Sequence, residues 1–191
     1  GGLLGSLDES KEAECTAATN VSGAEFIVSH ARSRPGEIEL VSFSPLTSVA
    51  LAIGLEPRLP SLIKRLLVMG GAVDGAGNAS PLAEANFVHD AAAARVVFAS
   101  WGSAPGAGQL VMAPLEVTHQ SFISEKEVVQ VFGKVAGPAA DLFVNSWPFY
   151  QGAYCSRCDD CCEGAPLHDA HPITYLLEPS MYTKSEVMRV R

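Results

Sequence analysis

Apolar residues fall into short blocks along the chain, and the spacing inside each block sets the element it predicts. Ser22 to Arg34 opens on a capping residue, carries Phe26, Ile27 and Ala31, and ends at Pro35-Gly36, which predicts a helix. IELVSF (Ile38 to Phe43) is β-branched and aromatic over the length of a strand. LTSVALAIGL reads as helix up to Glu56-Pro57. PSLIKRL sets Pro60 in a favoured first-turn position and leads into LLVMGG, a wholly apolar run ended by two glycines. Such a run suits a strand covered on both faces. Asp90 caps the helical AAAARVVFAS, and QLVMAPLEV (Gln109 to Val117) reads as a further apolar strand. Ser124 to about Tyr154 is mostly helical with an interruption near Gly137-Pro138, and HDAHPITYLLEP is a short helix. The terminal SEVMRVR breaks off as a strand-like run begins.

Alternation of helices with buried-type strands implies an α/β fold: a mainly parallel, Rossmann-like open sheet flanked by helices. At 191 residues the chain has room for one domain with a substantial core. Its start, GGLLGSLDES, has no basic region and does not read as a signal peptide; it resembles the interior of a longer sequence. The expectation is a single, truncated domain over residues 1–191. Losing its first strands would leave unpaired edges and apolar faces, and with them poor solubility or a need for a partner.

Composition narrows the function classes. The chain is 48% hydrophobic and 18% charged, with a mean hydropathy of +0.19, which excludes a disordered linker. A net charge of −8 without a local basic cluster argues against nucleic-acid binding. No continuous apolar stretch is long enough to span a membrane. One isolated cysteine, Cys15, and the group Cys155, Cys158, Cys161 and Cys162 do not form the framework of a small secreted protein. A reducing, cytoplasmic location is expected.

Ligands of open parallel sheets bind beyond the carboxyl ends of the strands. LLVMGG is followed there by GNASPLAEANFVHD, which gathers two amides and a carboxylate, Asn78, Glu84 and Asn86. By themselves Gly70, Gly71, Gly77 and Asn78 are also what a plain turn requires. His168-Asp169 forms a second constellation, in which Asp169 is equally suited to capping a helix. C155-SR-C158-DD-C161-C162 offers a zinc or iron–sulfur site, with Cys162, Cys15 or His168 as fourth ligand, or a variable surface loop.

The words SPLTSVALAIGLEPRLPSLIKRLLVMGGAV, GNASPLAEANFVHDAAAARVVFAS, LVMAPLEVTHQ and LHDAHPITYLLEPSMY occur in this order. From roughly Leu40 to Tyr182 the chain thereby resembles the inosine-uridine preferring nucleoside hydrolases. That resemblance implies hydrolysis of the N-glycosidic bond of ribonucleosides to ribose and free base, a calcium ion holding the ribose hydroxyls and the attacking water, and a role in nucleobase salvage. It implies that Asn78, Glu84 and Asn86 grip the ribose, that Asp169 ligates calcium, and that His168 lies near the base as a proton donor. The VTHQ segment, with His119, is implied to be structural. The family is commonly dimeric or tetrameric, so a homo-oligomer is implied as well.

The chain departs from the family pattern in two places. The acidic D-x-D-x-G-x-D-D motif, which supplies the water-activating base and most calcium ligands, does not occur here. The loop after Val41 reads S-F-S-P-L-T-S, with Phe43 where a Thr offers its backbone carbonyl to the metal; a carbonyl ligand survives that side-chain change. A non-catalytic nucleoside- or ribose-binding protein is the competing expectation.

Overall fold

A computed structural model describes residues 20–156 and 163–188. They group into two compact units, one holding residues 20–118 and 168–188, the other residues 119–156 and 163–167.

The first unit begins with α1 (Gly23–Ser33), whose start is fixed by a reciprocal box: Ser22 Oγ accepts from the Glu25 N–H, and Glu25 accepts from the Ser22 N–H at 2.8 Å. Then follow β1 (Ile38–Ser42), α2 (Thr47–Leu55), α3 (Leu59–Leu62) and β2 (Ile63–Met69). Next come α4 (Ala85–His89), α5 (Ala91–Ser103), β3 (Gln109–Ala113) and α6 (Leu115–Thr118). The chain returns to this unit with α9 (Ala170–Leu177) and a short 3-10 turn at Pro179–Met181. The three strands pair in parallel in the order β1-β2-β3, as the alternating pattern predicts.

β2 is the central strand, and Leu66, Leu67 and Val68 are fully buried. Leu66 and Val68 join the core built from Val28, Ala31, Val49, Ile53 and Val97 of α1, α2 and α5. Successive side chains alternate across a strand, so Leu67 and Met69 face the opposite side, where α9 contacts β2 and β3. Burial at about 1.5–3 kcal/mol for each large apolar side chain makes this strand the anchor of the sheet.

The second unit pairs β4 (Phe122–Ile123) antiparallel with β5 (Ala165–Pro166), and packs α7 (Glu125–Phe132) against α8 (Pro138–Cys155). Phe143, Trp147, Tyr150 and Tyr154 recur along one face of α8, with consecutive ring centroids 5.3–5.4 Å apart. Trp147 is buried against Val128 and Ala165, and the Tyr150 hydroxyl donates to the Pro166 carbonyl at 2.8 Å.

Three sequence-based expectations change. The run Gln109 to Val117 is not one strand: β3 stops at Ala113, because Pro114 has no N–H to extend the ladder, and α6 begins directly after it. The segment between Gly77 and Asp90 holds a helical turn, α4, that its loop-like composition conceals. Residues 182–188 form neither helix nor strand, so the strand-like reading of SEVMRVR fails over its described part, where Val187 is fully exposed. Among the described residues no helix is long and apolar enough to cross a membrane.

Candidate active site

The carboxyl ends of β1, β2 and β3 lead into Phe43, Gly70-Gly71 and Pro114, and the candidate residues gather around these exits in the first unit. Gly71 has φ +84°, a left-handed conformation that favours glycine, and a Cβ placed on Gly70 would stand 2.5 Å from Phe87 Cε1. The two glycines thus let the chain turn close under α4. The turn is tied to the end of β3: the Gly70 N–H donates to the Ala113 carbonyl at 3.2 Å and the Leu115 N–H to the Gly71 carbonyl at 3.0 Å. Glu116 adds a clasp, its Oε1 accepting from the N–H groups of Val73 and Asp74, both at 2.9 Å.

Glu84 is the hub. It is 3% exposed and caps α4. Its Oε2 accepts from the N–H of Gly71 and of Phe87, both at 3.0 Å, and its Oε1 from the Asn86 N–H at 2.9 Å. A carboxylate has about four acceptor sites, so roughly one remains for a further donor such as a sugar hydroxyl. Asn86 Nδ2 donates to the Met69 carbonyl at 3.2 Å and reaches the Phe43 carbonyl at 3.4 Å, bridging the ends of β1 and β2. Asn78 Oδ1 accepts from the Ala85 N–H at 2.9 Å, which fastens the GNAS turn to the start of α4. The structure therefore links Phe43, Asn78, Glu84 and Asn86 through one hydrogen-bonded network.

Asp169 stands at the N-terminal boundary of α9 but accepts no capping hydrogen bond. Asp90 offers the contrast: its Oδ1 takes the Ala93 N–H at 2.9 Å. Asp169 is open to solvent on one side, yet partial burial among its neighbours raises its pKa above the ordinary carboxylate value, and the Glu84 charge raises it further. Neither carboxylate belongs to an ion pair among the described residues. His168 Nδ1 lies 2.7 Å from the hydroxyl of Thr118, which is fully buried. His171 packs its ring on Tyr182 with Nδ1 3.0 Å from the phenol oxygen, and burial lowers its pKa.

The family model for inosine-uridine preferring nucleoside hydrolases matches residues 1–191. The chain belongs to this family. It is 34% identical over 168 residues to a probable uridine nucleosidase 1 of Oryza sativa, covering 87% of this chain and 49% of that protein. It is 35% identical over 170 residues to the pyrimidine-specific ribonucleoside hydrolase RihA of Klebsiella pneumoniae, covering 89% and 52%. Among solved structures, the purine-preferring ribonucleoside hydrolase from Gardnerella vaginalis superposes with a TM-score of 0.77 at 28% identity, over 87% of this chain and 50% of that one. The chain thus spans about half the length of the relatives it matches.

The residues present do not by themselves fit a calcium ion. Calcium takes six to eight oxygens, and the expected ligands here are one carboxylate, Asp169, and one carbonyl, that of Phe43. Among the described residues no group of three or more His, Cys, Asp or Glu side chains could hold a metal. Cys15, Cys158, Cys161 and Cys162, and with them the zinc or iron–sulfur reading, lie outside the described residues. An open concavity of about 460 Å³ lies in the second unit against Ser124, Lys126 and Gln151, and contains none of the candidate residues.

Sequence reasoning missed Glu116 and Thr118. Glu116 sits in the stretch read as continuous strand, where a lone acid just after a proline was the available signal, and Thr118 opens the THQ that follows it, in the VTHQ segment implied to be structural.

Proposed function

We propose that the protein containing this chain cleaves the N-glycosidic bond of ribonucleosides with water, releasing ribose and the free base. Family membership supports the reaction class. The observation that carries the site is the buried carboxylate of Glu84, held by the N–H groups of Gly71, Asn86 and Phe87 at the carboxyl edge of the sheet and in no ion pair among the described residues. Glycosidic cleavage builds positive charge on the sugar, and such a site stabilises that charge more strongly than it does the neutral substrate. Asn78 and Asn86 offer amides that donate to and accept from hydroxyls, and the remaining acceptor site of Glu84 suits a ribose hydroxyl. His168 is assigned the leaving-base side of the sugar, where a proton donor assists departure.

Calcium assistance belongs to a protein in which further oxygen ligands join Asp169 and the Phe43 carbonyl. Both units are proposed to form one nucleoside-hydrolase domain, a reading supported by the family match over residues 1–191. A cytoplasmic, homo-oligomeric enzyme is the accompanying proposal; cysteine usage supports the first adjective and family habit the second.

The test is release of reducing sugar from inosine and uridine by protein carrying this chain together with the acidic amino-terminal motif, with calcium supplied. Sugar release that falls at least about 100-fold on Asn86→Ala is the expected result, a loss of the size seen when one preorganised polar group is removed. Saturable ribonucleoside binding with no sugar release would replace catalysis by the non-catalytic binding reading.

A further inference from the structure

We infer that Thr118 is a positioning residue that holds His168 in one tautomer, with the proton on Nδ1, so that exchange with the leaving base falls to Nε2. This inference rests on the assignment of His168 to the leaving-base side of the site.

Two contacts of one hydroxyl carry it. Thr118 Oγ1 lies 2.7 Å from His168 Nδ1 and 3.3 Å from the Leu115 carbonyl oxygen. A hydroxyl has one proton to give, whereas a carbonyl oxygen can only accept. Both contacts are satisfied together in one arrangement alone: the hydroxyl donates to Leu115, and Nδ1–H donates to the hydroxyl. The reverse assignment would leave the Leu115 contact without a proton. Thr118 is fully buried, so no bulk water competes for either position. It sits at the last residue of α6, held there by its own N–H to the Pro114 carbonyl at 3.1 Å, and this short helix is tied to the glycine turn after β2. The ring orientation of His168 is thereby coupled to the loop that carries the sugar-binding residues.

The chemistry balances simply. As the C1′–N bond breaks, its electron pair leaves with the base and takes the proton from Nε2, leaving a neutral imidazole whose remaining proton stays on Nδ1 against Thr118. The water oxygen bonds to C1′ and loses its proton to solvent, which restores the ring for the next turnover. A histidine in the opposite tautomer would turn the wrong nitrogen to the base, and the side chain fixed behind the ring prevents this.

The experiment has two arms. In this chain, long-range 1H–15N spectra of the neutral His168 ring should show the proton on Nδ1 in the wild type and in Thr118→Ser, and a mixed or Nε2-protonated ring in Thr118→Val. A wild-type ring protonated on Nε2, or a Thr118→Val ring unchanged from wild type, overturns the inference. In hydrolytically active protein, Thr118→Val should lower kcat for inosine about 100-fold with little change in KM, the lower end of what a positioned acid contributes. Thr118→Ser should restore it, and 4-nitrophenyl riboside, whose leaving group needs no proton, should be turned over at the unmutated rate. Equal losses on both substrates would make Thr118 merely structural. Absence of hydrolysis in every version would defeat the catalytic reading while leaving the spectral arm to decide the tautomer.

Discussion

At the scale of single residues, the site depends on glycine and on carboxylates aimed at backbone amides. Gly71 is the sharper case: its φ of +84° is strained for any other residue, and an added Cβ would meet Met112 Sδ and Phe87 Cε2, both at 3.1 Å. Gly71→Ala should cost about 1–2 kcal/mol in urea unfolding and displace the N–H that Glu84 accepts; an unchanged midpoint would mean the turn is not held as described. Sequence reasoning singled out Asn78, Glu84 and Asn86 as two amides and an acid close together in one short loop, and Asp169 through the family resemblance. In the structure Glu84 accepts from the Asn86 N–H, Asn78 accepts from the Ala85 N–H between them, and the Glu84 charge contributes to raising the Asp169 pKa. It did not find that Glu84 spends most of its acceptor capacity on the N–H groups of Gly71, Asn86 and Phe87. A backbone donor leaves no letter in the sequence, so only a fold can reveal it. The same reason hid Glu116, whose partners are the amides of Val73 and Asp74.

At the scale of elements, the pattern of apolar residues was a good guide where burial is two-sided and a poor one where a proline or a cap intervenes. The central strand followed from LLVMGG and the helix after Asp90 from its cap, because each signal is local. The strand through Gln109 to Val117 failed at Pro114, and α4 was invisible because its N-terminal boundary is made by a buried Glu in place of the usual Ser, Thr or Asp. The C-terminal boundary of α2 carries a testable electrostatic device. Glu56, at the end of α2, is buried beneath two arginines: its Oε1 accepts from Arg58 Nε at 3.0 Å and its Oε2 from Arg32 Nε at 2.8 Å. Hydrogen bonds from Arg58 first, and Arg32 next, lower its pKa to about 2. A lowered carboxylate pKa contributes stability that is present above the unfolded value of 4.5 and is lost as the pH falls toward 2. Glu56→Gln should therefore lower the melting temperature at pH 7, and the gap to wild type should close as the pH falls through that window. A gap independent of pH would show that the two arginines act by packing alone.

At the scale of the whole molecule, the sheet of the first unit pairs β1 and β3 on one side only among the described residues, and α2 turns Leu51 and Leu55 outward although it is apolar on every face. The central claim is narrower than catalysis: a ribose is held by Asn78, Glu84 and Asn86 over the end of β2, opposite Asp169. The most direct measurement is a titration of 15N-labelled protein with ribose, following the side-chain amide signals of Asn78 and Asn86. The account predicts saturable shifts of both amides with one common affinity, abolished by Glu84→Ala. Shifts confined to other parts of the chain, or amides of Asn78 and Asn86 that stay fixed while ribose binds elsewhere, would contradict it.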